Sequence, residues 1–82
     1  MSNMPDMREH AAMVATVKAV ENGLMSYFQD KYNAKAYCCV TMSLEYEVVV
    51  DVDGMEFSTY GPDIQEVISK AAIRAGHMRL SK

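Results

Sequence analysis

The dipeptide Asp53-Gly54 constrains this chain more than any other feature. A two-residue hairpin turn needs positive φ at its central positions, which Asp-Gly tolerates, and it closes between strands of alternating character. The flanking segments alternate as required. The turn sets a register that pairs Val52 with Met55, Asp51 with Glu56, Val50 with Phe57, Val49 with Ser58, Val48 with Thr59 and Glu47 with Tyr60. Tyr46, Val48, Val50, Val52, Met55 and Phe57 then look inward. Glu45, Glu47, Val49, Asp51, Glu56, Ser58 and Tyr60 look outward.

The pattern predicts three strands, from about Lys35 to Met42, Glu45 to Val52 and Met55 to Tyr60. The first hairpin, around Ser43-Leu44, has no comparable turn signal. The preferred register turns Cys38, Val40 and Met42 inward and Tyr37, Cys39 and Thr41 outward. A slip of one residue would reverse these assignments.

A first helix is predicted from about Pro5 to Tyr32. Proline suits the first helical position, and Asp6 and Glu9 complement the helix dipole there. Met13, Val17, Val20, Leu24 and Phe28 form an apolar stripe, widened by Val14 and Tyr27. Asn22-Gly23 is its weak point, and the sequence leaves open whether the helix breaks there. Unbroken, the helix is about 40 Å long. A strand of eight residues spans about 27 Å, so the part around Met4 to Ala12 overhangs the sheet. Asn33-Ala34 turns the chain. A last helix starts at Pro62, with Gly61 as N-cap and Asp63 in the first turn. Its buried stripe is Ile64, Val67, Ile68, Ala71, Ala72 and Ala75, and Gly76 is placed just past its end. Ile73 falls on the opposite side, exposed, as a candidate contact residue.

The expected fold is therefore α+β in the order α-β-β-β-α: a three-stranded antiparallel sheet with two helices packed on one face and the other face open and acidic. Residues 1–82 make one small domain, with 1–6 frayed and 77–82 a basic tail. Half the residues are apolar and 23% are charged, which excludes a disordered chain. Eight methionines and no tryptophan point to adaptable core filler or an adaptable binding surface.

No apolar run approaches the ~20 residues of a membrane span, and the N-terminus lacks the layout of a signal peptide, so a cytoplasmic location is expected. Cys38 and Cys39 are adjacent and face opposite ways on a strand, which points to reduced thiols. Asp51-Val52-Asp53-Gly54 with Glu56 lacks the spacing of an EF-hand calcium loop, and the Asp-Gly turn accounts for it. His10 and His77 have no motif partner, and no phosphate loop, nucleophile elbow or HExxH pattern occurs. Neither catalysis nor a cofactor nor a metal is expected.

Charge gives the functional lead. No lysine or arginine lies between Lys35 and Lys70, and the 34 residues between them carry seven acids. The four bases that follow, Lys70, Arg74, Arg79 and Lys82, have no acid among them. The strand register puts Glu45, Glu47, Asp51 and Glu56 on the outer sheet face, flanked by Tyr37 and Tyr60, whose rings suit stacking on arginine. A solvated face that keeps the protein soluble and blunts edge pairing is the plain alternative.

The element order resembles that of the double-stranded RNA-binding domain. That family places basic residues at the start of its second helix, where this chain has Pro62-Asp63-Ile64-Gln65-Glu66, so the resemblance implies the architecture and not the phosphate contacts. In type, the chain is similar to small acidic phage-encoded inhibitors, including anti-CRISPR proteins, many of which cover a basic nucleic-acid-binding surface.

The first expectation is a non-enzymatic protein-interaction module. Its acidic sheet face binds a basic surface rich in arginine and lysine, as a nucleic-acid mimic does. Direct nucleic-acid or membrane binding is not expected. The alternatives are a homodimer or accessory subunit associating through the first helix, and a nucleic-acid binder using the basic C-terminus.

Overall fold

The computed structural model describes residues 7–80, and the order of elements is helix, three strands, helix. They are α1 (Met7–Tyr32), β1 (Lys35–Val40), β2 (Tyr46–Val52), β3 (Met55–Gly61) and α2 (Ile64–Leu80). The sheet is antiparallel in the order β1-β2-β3. This is the α+β architecture read from the sequence. The expected start at Pro5, the overhang at Met4, the frayed 1–6 segment and Lys82 lie outside the described residues.

The second hairpin has the register that Asp53-Gly54 demands, from Val52 opposite Met55 to Glu47 opposite Tyr60. Both turn residues have positive φ, 54° at Asp53 and 86° at Gly54. The Gly54 N–H donates to Asp51 Oδ1 at 2.7 Å, so an outer-face acid also fastens the turn.

The core lies between the sheet and the two helices. Phe28, Val48, Val50 and Val67 are fully buried, with Val17 and Leu24 from α1 and Ala71 and Ala75 from α2 around them. Both helices therefore cover the same sheet face. Thr59 on β3 donates its hydroxyl to the Val67 carbonyl at 3.0 Å, which ties the edge strand to α2. The Arg74 guanidinium lies 4.9 Å from the centre of the Phe57 ring and caps the core at that edge.

α1 is continuous through Asn22-Gly23, the point the sequence left open, because the glycine lies on an exposed face and Leu24 and Phe28 anchor the helix beyond it. Several expectations are corrected. β1 ends at Val40, so Met42 is 84% exposed on a loop and not inward. There the Thr41 hydroxyl accepts from the N–H groups of Ser43 and Glu45, both at 3.2 Å. The Leu44 N–H donates to the Thr41 carbonyl, and Leu44 adopts a φ of 60°. This is a three-residue hairpin loop closed by a bulge, in which leucine holds a position usually given to glycine. Leu44 packs against the core, which offsets the backbone cost. Met55 pairs with Val52 but is 66% exposed, because it sits at the tip of an edge strand where the helix layer ends.

At the start of α2 the N-cap is Asp63, whose Oδ1 accepts from the Gln65 N–H at 2.9 Å. Gly61 is instead the last residue of β3, buried beneath Val67. Gly76 is helical and lies against the Tyr32 ring, and α2 runs on to Leu80. Residues 77–80 therefore belong to the helix and not to a tail.

α1 ends where Asn33 takes a φ of 51° and the Ala34 N–H returns to the Phe28 carbonyl. Arg79 secures this end. Its Nε donates to the Tyr32 carbonyl at 2.6 Å and its Nη2 to the Asn33 carbonyl at 3.2 Å. At the other end of α1, Met7 to Ala12 contribute no buried residue, and the first core side chain is Met13. The overhang gives the molecule its extents of 52 × 21 × 19 Å.

Candidate functional site

The uncovered sheet face is a grid of three rows. Odd-numbered residues of β1 and β2 and even-numbered residues of β3 share it. One row is Lys35, Asp51 and Glu56; the next is Tyr37, Val49 and Ser58; the third is Cys39, Glu47 and Tyr60. The structure thus brings Glu47, Asp51, Glu56, Tyr37 and Tyr60 onto one face. Glu45 lies just before β2, half-buried, with its carbonyl accepting from the Thr41 N–H. Ile73 stands apart, 61% exposed on the helix layer.

The middle of the grid is apolar. Val49 points outward yet is only 6% exposed, because it lies on the central strand between Tyr37 and Ser58. Tyr37 and Tyr60 are each about half exposed. The face therefore offers aromatic surface beside charge, as an arginine-bearing partner requires.

Glu47 is the most connected acid on the grid. The Cys39 thiol donates to its Oε1 at 3.3 Å. Burial, together with this bond to a carboxylate, raises the Cys39 thiol above its ordinary value. On the other side, hydrogen bonding to Glu47 holds the Tyr60 phenol up as well. Both neighbours therefore stay protonated at neutral pH. Asp51 and Glu56 are direct cross-strand neighbours, a like-charge pairing that opposes the fold even though Asp51 also fastens the Gly54 turn.

Sequence reasoning missed Lys35 as part of this face and the burial of Val49 within it. Lys35 stands directly opposite Asp51, so one corner of the grid carries a positive charge. Strand parity contained the signal, since Lys35 is two residues from Tyr37. Val49 was placed outward, but its burial depends on the aromatic and polar neighbours that the register supplies.

Elsewhere, burial pushes the Cys38 thiol up to about 11. Neither cysteine is disulfide-bonded. Among the described residues no group of three or more His, Cys, Asp or Glu is placed to hold a metal ion. Among the described residues, the C-terminal bases have partners within the chain. Lys70 pairs with Glu66 at 3.4 Å, Arg74 covers Phe57, and Arg79 meets Asp53 at 2.6 Å. Among the described residues no helix is long and apolar enough to cross a membrane. No protein-family model, curated protein or solved structure matches the chain.

Proposed function

We propose that this protein is a non-enzymatic interaction module whose outer sheet face docks on a basic, arginine- and lysine-rich surface of the kind that binds nucleic acid. In this reading it is an inhibitor that acts as a nucleic-acid mimic. The observation that carries it is the placing of Glu47, Asp51 and Glu56 on one uncovered face with Tyr37 and Tyr60 beside them. The Asp51–Glu56 contact costs stability, and a partner cation would relieve it. Both thiols are held in the protonated, unreactive form, which supports a role without covalent catalysis.

The test compares capture of basic nucleic-acid-binding proteins from cell lysate, at low and high salt, by the native chain and by the variant Glu47→Lys, Asp51→Asn, Glu56→Lys. Asparagine at 51 keeps the acceptor that fastens Gly54. Salt-sensitive capture by the native chain that the variant loses supports the reading; equal capture by both sinks it.

A second reading rests on α1. Met7 to Ala12 project without a core contact, and Met7 is 67% exposed, so this end suits pairing with a second copy or an accessory partner. Sedimentation at micromolar concentration as a strict monomer removes it. Nucleic-acid binding through the C-terminus is the weakest reading, because Lys70, Arg74 and Arg79 already have partners in the fold.

A further inference from the structure

The β1 edge of the sheet is open, and the ladder shows which of its groups face out. Hydrogen-bonded pairs alternate along an antiparallel ladder. The Thr41 N–H donates to the Glu45 carbonyl at 2.8 Å, so two-residue steps carry the β1–β2 bonds to Cys39 and Glu47, Tyr37 and Val49, and Lys35 and Asp51. The N–H and C=O groups of Ala36, Cys38 and Val40 therefore point away from β2. Such a row is a template for another strand.

α1 stands over this edge. It packs on β1, while α2 packs on β2 and β3. Two packed helices occupy a width of roughly 20 Å. Three strands at about 4.8 Å spacing supply about 14 Å, and four supply about 19 Å. By these spacings the helix layer is about one strand wider than the sheet. The surplus is a groove of about 470 Å³ between Met25, Ser26 and Asp30 of α1 and Lys35, Ala36 and Tyr37 of β1.

We propose that this groove takes up an extended segment of a partner protein as a fourth strand on β1, apolar on the side facing α1 and acidic on the side facing Lys35. Only an extended chain presents donors and acceptors at the repeat of the exposed row. Met25, 48% exposed, is positioned to be covered by an apolar side chain of that segment. Among the described residues Lys35 is the one base lining the groove, beside Asp30, and has no strand on its outer side, so a carboxylate from the incoming segment can reach it. A second copy of the chain fits poorly. Pairing β1 with its symmetry mate would bring two α1 helices, each packed on its own β1, closer together than the about 8–10 Å that packed helices need. A strand that carries no helix of its own avoids that collision. The edge is separate from the docking face proposed above, and Tyr37 borders both.

The probe is a displayed library of short random peptides, selected on the full chain and then synthesised. The selected peptides should alternate apolar with polar residues and include an acid. The amides of Ala36, Cys38 and Val40 should exchange hydrogen fast in the free protein, and bound peptide should slow them. Ser26→Arg fills the groove from an exposed helix position and should weaken binding about tenfold or more, with the thermal midpoint unchanged. Glu47→Lys with Glu56→Lys should leave binding in place, which separates this site from the outer face. Failure to select any peptide, protection at other amides, or indifference to Ser26→Arg overturns the proposal. So does concentration-dependent protection of the same three amides with sedimentation as a dimer, which would assign the edge to a second copy.

Discussion

Arg79 and Asp53 are 26 positions apart in sequence, and Arg79 Nη1 donates to Asp53 Oδ2 at 2.6 Å. The same guanidinium holds the carbonyls of Tyr32 and Asn33. One side chain near the end of α2 therefore fastens both the tip of the second hairpin and the C-terminus of α1. The two α1 carbonyls have no intrahelical partner, so arginine completes an open helix end.

Removing this clamp should show as lost stability. Arg79→Ala is expected to cost about 1–2 kcal/mol, because the pair is partly exposed and screened while the carbonyl bonds are charge-assisted. In a chain of this size that lowers the thermal midpoint by about 4–16 °C. Arg79→Lys should recover less than half of the loss, since an ammonium meets Asp53 but does not reproduce the fork. Thermal denaturation of the three proteins, with full recovery by lysine as the contrary result, checks this.

Glycines 23 and 61 should respond in opposite directions to alanine. A methyl at Gly23 meets nothing within 4 Å on a helix interior, so Gly23→Ala should stabilise by about 0.5–1 kcal/mol. A methyl at Gly61 falls 3.0 Å from Val67 Cγ2, a stiff, fully buried side chain. Gly61→Ala should cost about 1–3 kcal/mol. The cost should shrink when Val67→Ala is present, a coupling that urea denaturation of the single and double variants measures.

On the outer face, stability and the proposed docking should part company. Glu56→Lys replaces a like-charge neighbour of Asp51 with an opposite one and should stabilise by some tenths of a kcal/mol, about 0.2–1. The same change should weaken salt-sensitive partner capture. Asp51→Ala should instead destabilise by about 1 kcal/mol, because it strips the acceptor from the Gly54 N–H. Chemical denaturation with capture assays in parallel separates these effects; a Glu56→Lys protein that is less stable contradicts the register-based account.

Alkaline stability should depend on Cys38. Its thiol titrates near 11 in the folded chain because burial opposes the thiolate. The unfolded thiol titrates near 8.5. A folded value above the unfolded one means that this contribution is fully present below about pH 8.5 and is lost as pH rises towards 11. Cys38→Ala should therefore flatten the decline in stability over that window relative to the native chain. A decline of the same slope in both proteins excludes Cys38 as its source.

Much of the fold is legible in local chemistry. Asp53-Gly54 gives the second hairpin to the residue, because a two-residue turn leaves no freedom in register. The period of Met13, Val17, Leu24 and Phe28 gives α1 and its buried side. The errors fall where tertiary contact overrides a local preference. Gly76 has the character of a helix end, but Tyr32 and Arg79 hold the helix past it. Leu44 gives no turn signal, but its side chain finds the core and carries the backbone into the left-handed region. Lys35 escaped notice because its partner Asp51 lies across a hairpin whose loop was the unread one.

The sequence by itself determines the order of elements, the second hairpin's register, and the grouping of Glu47, Asp51 and Glu56 on one side of it. These follow from turn geometry and side-chain periodicity, which act over a few residues. Only the tertiary structure decides that α1 packs on β1 while α2 packs on β2 and β3, that Val49 is buried in the open face, and that Arg79 joins three distant segments. The physical reason is that helix and strand differ in width and rise, and how that mismatch is shared between layers is set by packing across the whole domain.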